Sequence, residues 1–319
     1  MKIVLLDAGT MGDDIDFSSI EKLGECVKYH NTMPSEVPGR IADADVVIIN
    51  KVLLNEDVLK YAKKLRLICV FAIGYNNIDI EYCRKRNIRV RNVPGYCVES
   101  VCQHTFAILF SLLEKLRYYD DFVKSGDYSK SGLANHLGKP FFEICGKKWG
   151  IIGMGAIGRA VADCAAAFGA KVSYSSISGV VREEKYEHIP FEKLIAESDI
   201  ISVHAPLNEK TKHIIGREEF KKMKNTSYIV NVGRGAVIDE DALAEAINNG
   251  EIAGAALDVY SEEPPLEKAS VLSVKDKEKI LYTPHIAWAS VEARQRCVDM
   301  TSENVEAFIA GESLHDVWE

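Results

Sequence analysis

The 319-residue chain lacks the features of a nucleic-acid-binding or membrane protein. It has 39 Lys and Arg against 47 Asp and Glu, a formal net charge of −8 and no Lys/Arg-rich run, which argues against a nucleic acid or an anionic membrane as a partner. No stretch approaches the roughly 18 uninterrupted apolar residues of a membrane span. The N-terminal segment lacks the apolar stretch and cleavage site of a signal peptide. We therefore expect a cytoplasmic protein that acts on a small molecule or binds other proteins.

The sequence also lacks cysteine pairs at metal-ligand spacing. Its eight cysteines are scattered, and most of them, such as Cys69, Cys102 and Cys164, lie inside apolar strand or helix patterns. We interpret them as reduced thiols of the core and expect no metal site.

Short β-rich runs alternate with helical patterns along the whole chain, which is typical of βαβ units and parallel sheets. The length is about twice that of a typical domain of ~150 residues and favours two domains. Strand patterns at the N-terminus, at 45–50, at 65–74 and at 88–95 predict a first α/β unit. From Trp149 a second series of strands and helices fits one doubly wound sheet.

A last amphipathic helix, at about 290–311, has to return to the first unit. We therefore predict a discontinuous domain, residues 1–97 and 289–319, with a second domain inserted at 98–288. The inserted domain starts with a long helix, and a capping box of Ser100 and Gln103 is predicted to open it. This helix is apolar nearly all round, so we expect it to be buried on every side, between two domains or two subunits.

The segment GMGAIG has the glycine spacing of a dinucleotide-binding fingerprint, and it follows a strand and opens a helix. Gly153 would allow the tight turn after the strand. Gly155 would let the backbone approach a pyrophosphate, and Gly158 would let the helix pack closely on the strand. In this context the motif predicts a bound dinucleotide.

The preferred dinucleotide stays open. An NAD-selective site places a carboxylate about 20 residues after the fingerprint, at the end of the second strand. Here that position has Ser175 and Ser176. No carboxylate is then present to repel the 2′-phosphate of NADP, and the serine hydroxyls or Arg182 could bind this phosphate.

Three charged or titratable side chains follow neighbouring strands of the second series. Arg234 stands between two glycines, Glu263 follows the next strand, and His285 follows the one after it. Reduction of a 2-keto acid needs a hydride donor, a proton donor to the carbonyl oxygen and a cation that holds the substrate. His285 as an imidazolium could give the proton, Arg234 could clamp the substrate, and Glu263 would favour the charged imidazolium.

Several motifs in order resemble the D-isomer-specific 2-hydroxyacid dehydrogenase family: GMGAIGR, HAPLNEKTKHII, VNVGRGAVIDEDALAEAI, ALDVYSEEP, TPHIAW and AIGYNNIDI at 72–80. The resemblance implies an α/β fold of two Rossmann-like domains, in which a doubly wound parallel-sheet dinucleotide-binding domain is inserted into a flavodoxin-like substrate domain. It also implies a homodimer formed through the dinucleotide-binding domain. Within the family, the sequence is most similar to the glycerate dehydrogenase and hydroxypyruvate reductase branch at Asn76, Asn77 and Trp288.

The resemblance assigns residues to a site. It implies catalysis by Arg234, Glu263 and His285, and a substrate bound by Ile73, Gly74 and Tyr75 through their backbone together with Arg234 and His285. It implies that NAD or NADP is bound by a larger set, with Asp258 at the nicotinamide carboxamide. This set is Thr105, Gly153, Met154, Gly155, Ala156, Ile157, Gly158, Ser175, Ser176, His204, Ala205, Pro206, Thr211, Asn231, Val232, Gly233, Asp258, His285 and Ala287.

The sequence therefore predicts an NAD(P)H-dependent reductase of a small 2-keto acid such as hydroxypyruvate or glyoxylate, which oxidises D-glycerate in reverse. Two alternatives stay open. One is a dehydrogenase of the same family that acts on D-lactate-like or phosphorylated substrates. The other is a nucleotide-sensing scaffold that resembles the corepressors of this fold.

Overall fold

The structure, a computed structural model, describes residues 1–177, 183–312 and 316–318. Arg182, a candidate ligand of a 2′-phosphate, lies outside these residues. The chain forms two compact units, Met1–Cys97 with Trp288–Glu319, and Val98–Ala287. Trp288 thus lies in the first unit, one residue before the predicted boundary.

Within the described ranges, none of the helices has the length and apolar character that a membrane span requires. The cytoplasmic location stays a prediction.

The first unit is built on a five-stranded parallel sheet. Its strands, numbered along the chain, are β1 (Lys2–Leu5), β2 (Glu25–Lys28), β3 (Val46–Ile49), β4 (Leu67–Val70) and β5 (Arg89–Arg91). The sheet order β2-β1-β3-β4-β5 is that of flavodoxin-like folds. Its helices are α1 (Ser18–Glu21), α2 (Val37–Ile41), α3 (Glu56–Leu59), α4 (Ile80–Lys85) and α12 (Val291–Ala310).

Helix α12 completes the first unit from the other end of the sequence. It packs against α1 and β4. Arg294 donates to the Asp14 carboxylate, and the buried Arg91 of β5 donates to the carbonyl oxygen of Asn304 (2.8 Å). The last helix is therefore part of this unit, although about 190 residues separate it from Cys97.

The second unit is built on a seven-stranded parallel sheet. Its strands are β6 (Lys148–Ile152), β7 (Lys171–Ser175), β8 (Glu187–His188), β9 (Ile200–Val203), β10 (Tyr228–Asn231), β11 (Gly254–Leu257) and β12 (Ile280–Tyr282). Its helices are α5 (Val98–Leu113), α6 (Leu116–Lys124), α7 (Asp127–Ser131), α8 (Ala156–Ala167), α9 (Phe191–Glu197), α10 (Arg217–Lys222) and α11 (Glu240–Asn249). The sheet order is β12-β11-β10-β9-β6-β7-β8, so it reverses between β6 and β9, at the edge where doubly wound folds bind ligands. The predicted α/β fold of parallel sheets is confirmed.

The central strands form because their residues suit a sheet covered on both faces. β9 and β10 are buried along their whole length and are rich in Ile and Val, which is typical of parallel strands. Helix α8 turns Gly158, Val161, Ala162 and Ala165 inward, at the spacing of one helix face. These small side chains bring α8 close to the sheet.

One expectation about α5 is wrong. The helix begins at Val98, so Ser100 lies inside the first turn, and its hydroxyl donates to the carbonyl oxygen of Ala287 (2.7 Å) rather than capping the helix. Within a single chain the helix also has an exposed stripe of Glu99, Gln103 and Ala107, spaced one turn apart, and its burial against a second subunit stays a prediction. The sequence did not predict this stripe, because apolar residues are frequent all around the helix. The stripe contains only polar and small side chains.

Candidate active site

The fingerprint glycines lie between β6 and α8 and differ in the space around them. A Cβ on Gly153, whose φ is +97°, would lie 2.7 Å from the backbone nitrogen of Ala205, and one on Gly158 would lie 2.2 Å from the carbonyl oxygen of Gly153. A Cβ on Gly155, which caps α8, would meet no heavy atom within 4 Å. The N-terminus of α8 is therefore open, and its first-turn N–H groups and positive dipole end suit a pyrophosphate. The residues present fit a dinucleotide.

Other predicted cofactor residues fall into an exposed and a buried group. The exposed or half-buried group comprises Gly153, Gly155, Ala156, Ile157, Ser176, His204, Pro206, Gly233 and His285. The buried group comprises Thr105, Met154, Gly158, Ser175, Ala205, Thr211, Asn231, Val232, Asp258 and Ala287. Several polar side chains of the second group form hydrogen bonds to backbone.

Thr105 and Thr211 are two examples. Thr105 is fully buried in α5 and its hydroxyl donates to the carbonyl oxygen of Val101 (2.7 Å). Thr211 donates to the carbonyl oxygen of Pro206 (2.7 Å), which closes the loop after β9. Ser175 is buried at the end of β7. We therefore expect the neighbouring, half-buried Ser176 to present its hydroxyl to a ligand.

His204 follows β9, and its imidazole is neutral near pH 7. The residue as a whole is half-buried, but the ring nitrogen Nδ1 is buried, and burial of the ring lowers its pKa to about 3. Its Nε2 lies 3.0 Å from the hydroxyl of Ser202, which also accepts from the indole N–H of Trp149 (2.9 Å). His204 is thus a fixed neutral group, and no proton chemistry is expected of it.

Asp258 holds the segment that carries His285. The Oδ1 atom accepts from the hydroxyl of Thr283 (2.6 Å) and the N–H of Ile286 (2.9 Å), and Oδ2 accepts from the N–H of Ala287 (2.8 Å). The N–H of His285 donates to the carbonyl oxygen of Asp258 (2.8 Å). His285 has the left-handed φ of +55°, a conformation uncommon outside glycine, and these contacts on both sides fix it.

The Asp258 carboxylate stays ionised at this buried position. Burial pushes its pKa upward, but hydrogen bonds from His104, Thr283, Ala287 and Ile286 outweigh burial and hold the pKa below its ordinary value. A charged Asp258 is therefore part of the folded site near pH 7.

Glu263 and His285 are in direct contact. The Nδ1 atom of His285 lies 2.5 Å from Oε2 of Glu263, and Oε1 of Glu263 accepts from the N–H of Tyr260 (3.1 Å). Glu263 follows β11 and His285 follows the adjacent β12. The carboxylate fixes the orientation of the imidazole through its Nδ1 atom.

Arg234 follows β10, next to β11, so the three predicted catalytic residues leave three adjacent strands at the same edge of the sheet. Arg234 is exposed, and its guanidinium donates to the carbonyl oxygen of Gly233 (2.8 Å). Asn231 shapes this turn, because its amide donates to the carbonyl oxygen of Arg234 (3.1 Å) and accepts from the N–H of Gly233 (3.1 Å). The guanidinium is exposed to solvent and available to an anionic ligand.

His104 of α5 is a site residue that the sequence analysis missed. Its Nε2 lies 3.0 Å from the hydroxyl of Thr283 and 3.5 Å from Oδ1 of Asp258. Because the Thr283 hydroxyl gives its proton to Asp258, it accepts from His104. A histidine next to Thr105, in a helix rich in apolar residues, was the only signal in the sequence.

The predicted substrate loop of the first unit follows β4. The amide of Asn92 donates to the carbonyl oxygen of Ile73 (2.6 Å), and the hydroxyl of Tyr75 donates to the carbonyl oxygen of Val317 (3.3 Å). Among the residues that the structure describes, no acceptor is found for the N–H groups of Gly74 and Tyr75. Two such donors suit a carboxylate.

In the part of the chain that the structure describes, no group of three His, Cys, Asp or Glu side chains has the arrangement of a metal site.

The fold and this set of residues define an oxidoreductase of a known kind. The family model of the D-isomer specific 2-hydroxyacid dehydrogenase, NAD binding domain, matches residues 106–287. The chain therefore belongs to the D-isomer-specific 2-hydroxyacid dehydrogenase family and is an NAD(P)-dependent enzyme. The family, enzyme class and type of cofactor predicted from the sequence are confirmed.

Particular relatives cover nearly the whole chain. It is 35% identical to the glycerate dehydrogenase of Methylorubrum extorquens over 314 residues, which are 97% of this chain and 96% of that protein. It is 35% identical to the hydroxypyruvate reductase of Blautia hydrogenotrophica over 323 residues, 99% of each. Among solved structures, it is similar to an acyclic imino acid reductase in complex with NADPH and D-Arg, with a TM-score of 0.87, 27% identity, and 99% of this chain and 100% of that one covered.

Proposed function

We propose that this enzyme reduces a small 2-keto acid of the hydroxypyruvate or glyoxylate type with NADH or NADPH, and oxidises D-glycerate in reverse. The contact of 2.5 Å between Glu263 and His285 carries the proposal, because it supplies an oriented proton donor. The names of the glycerate dehydrogenase and hydroxypyruvate reductase relatives favour this substrate class.

The proposed roles follow from the geometry of each unit. The second unit, Val98–Ala287, binds the dinucleotide, and the first unit binds the substrate. A bound nicotinamide supplies the hydride. The exposed guanidinium of Arg234 binds and polarises the 2-keto acid, and the N–H groups of Gly74 and Tyr75 hold its carboxylate.

The proton comes from His285. Since Nδ1 faces Glu263, the imidazolium donates from Nε2 to the carbonyl oxygen as it becomes an alkoxide. The Glu263 carboxylate, in contact with Nδ1, orients the ring for the transfer. Asp258 acts as a positioning residue, since it binds the N–H groups of Ile286 and Ala287.

Turnover with a panel of 2-keto acids tests the proposal. Hydroxypyruvate, glyoxylate, pyruvate and a phosphorylated analogue are each assayed with NADH and with NADPH. We expect the first two to give the highest kcat/KM. A preference for pyruvate or the phosphorylated acid would point to another substrate class of the family, and dinucleotide binding without turnover would point to a sensing scaffold.

The variant His285→Ala tests the catalytic role. We expect kcat to fall about 10²-fold or more, as for loss of a general acid, while the dinucleotide still binds in a fluorescence titration. The matched control is His30→Ala, which removes a 75% exposed imidazole of the first unit. Undiminished turnover of His285→Ala would remove His285 from the mechanism.

We also propose a homodimer formed through the second unit. Helix α6 has no buried residue, and large apolar side chains of α6 and the segment after it are 47–86% exposed. They are Leu116, Val123, Leu133, Leu137, Phe141 and Phe142. A patch of this kind favours association with another protein surface.

Light scattering on the eluting protein tests the dimer. We expect twice the chain mass of 35.4 kDa. A Leu137→Glu/Phe141→Glu variant should shift the mass toward that of one chain, while Ile309→Glu, at an exposed apolar residue of α12, should not. A native protein with the mass of one chain would contradict the dimer.

A further inference from the structure

Two cysteines of the second unit lie side by side and take no part in the proposed reaction. Cys102 of α5 and Cys164 of α8 have their sulfur atoms 3.6 Å apart, and the two helices pack against each other. A disulfide bond is about 2.05 Å long, so the sulfur atoms would have to approach by about 1.5 Å. Small changes of side-chain rotation and helix position cover that distance.

The two thiols differ in exposure. Cys102 is buried, and burial raises the pKa of its thiol to about 12, so it is protonated near pH 7. Cys164 is exposed, although its apolar helix pattern predicted a core position. An oxidant in solution therefore reaches Cys164 first and leaves Cys102 as a neighbour within reach.

We propose that Cys164 and Cys102 form a site of reversible thiol oxidation, in which a peroxide oxidises Cys164 and Cys102 closes an intrachain disulfide. In the first step the Cys164 thiolate attacks one oxygen of hydrogen peroxide, the O–O bond breaks, and hydroxide leaves as Cys164 becomes a sulfenic acid. In the second step the Cys102 sulfur attacks the Cys164 sulfur, the S–S bond forms and the S–O bond breaks. The departing hydroxide takes the proton of Cys102 and becomes water. Overall two thiols are oxidised and one peroxide is reduced to two waters.

The pair has two consequences for the folded chain. Closure keeps Cys164 from irreversible oxidation to a sulfinic acid. It also ties α8, which starts at the dinucleotide fingerprint, to α5. The proposal does not depend on the proposed reductase reaction, because its readout is the chemistry of the thiols.

Peptide mapping of the full-length, folded protein tests the site. The protein is treated with hydrogen peroxide, unfolded in an alkylating reagent and digested. We expect a Cys102–Cys164 cross-linked peptide, a fall from eight to six alkylated thiols, and full recovery after a dithiol reductant. A gel without reductant should show no link between chains.

Single variants separate the roles of the two thiols. In Cys102→Ala, which keeps a small apolar side chain in the core, we expect about tenfold more Cys164 sulfinic acid than in the native protein. In Cys164→Ser, Cys102 should stay reduced. Cys145→Ser, which removes another exposed thiol of the second unit, should leave the cross-linked peptide unchanged.

Three results would overturn the proposal. The first is equal sulfinic acid at Cys164 in the native protein and in Cys102→Ala. The second is a disulfide through Cys164 between two chains. The third is a cross-linked peptide that forms only after the protein is unfolded in urea.

Discussion

Replacing Asp258 with asparagine should destabilise the second unit. The carboxylate is fully buried, and both of its oxygens accept hydrogen bonds from the segment that carries His285. Asparagine keeps one acceptor oxygen and places an NH2 group where the other oxygen was. In either orientation that NH2 faces the N–H of Ile286 or of Ala287, so at least one buried donor loses its acceptor.

The expected loss follows from these contacts. An unsatisfied buried donor costs about 1–3 kcal/mol, and the loss of charge weakens the remaining hydrogen bonds by about 1 kcal/mol more. The sum of about 2–4 kcal/mol corresponds to a fall in Tm of roughly 4–16 °C for a unit of this size. Differential scanning calorimetry of the cofactor-free protein measures it. The matched control is Glu245→Gln, an exposed carboxylate paired with Arg217, which should change stability by less than about 1 kcal/mol.

The pH dependence provides a second check. The pKa of Asp258 is below its ordinary value, because hydrogen bonds outweigh burial. For a carboxyl with a lowered pKa, the stabilisation is complete above the unfolded value of about 3.9 and is lost as pH falls through the folded value. The Tm difference between native and Asp258→Asn should therefore hold from pH 7 to about pH 5 and shrink below about pH 4. Equal Tm values at pH 7 would refute this account of the buried carboxylate.

Three further variants test the dinucleotide site. Gly155→Ala should leave the free energy of unfolding within about 0.5 kcal/mol of native but weaken dinucleotide binding about tenfold, because a Cβ there enters only the open space. Gly158→Ala should instead lower the free energy of unfolding, measured in urea, by about 1–3 kcal/mol, since its Cβ would lie 2.2 Å from the carbonyl oxygen of Gly153. A larger loss of stability in Gly155→Ala than in Gly158→Ala would contradict the proposed dinucleotide site. Ser176→Asp should lower kcat/KM with NADPH relative to NADH by about tenfold through repulsion of the 2′-phosphate, and an unchanged ratio would exclude Ser176 from that end of the site.

The sequence predicted most of the fold where a local pattern was strong. Strand β3 is a continuous apolar run, and β9 and β10 are apolar except for Ser202 and Asn231, a pattern that indicates buried parallel strands. Strand β2 has two exposed residues and β8 has only two residues, so neither gives such a pattern. The sheet orders show that both are edge strands.

The site was predictable in its residue types but not in its hydrogen bonds. Arg234, Glu263 and His285 follow strands that an alternating pattern places in one sheet. The role of His104 depends on Thr283, 179 residues later. The contact of Ser100 with Ala287 likewise spans 187 residues. Pairs at such separations form only through the order of strands in the sheet, which a local pattern does not encode.

The return of α12 to the first unit has a consequence for biosynthesis. The second unit is one continuous stretch of chain and can fold on the ribosome as soon as it has emerged. The first unit is synthesised earlier but lacks the helix that packs on β4 until nearly the whole chain has been translated. Until then the apolar surface that α12 covers stays exposed in the N-terminal part of the first unit. We therefore expect the second unit to fold before the first is complete.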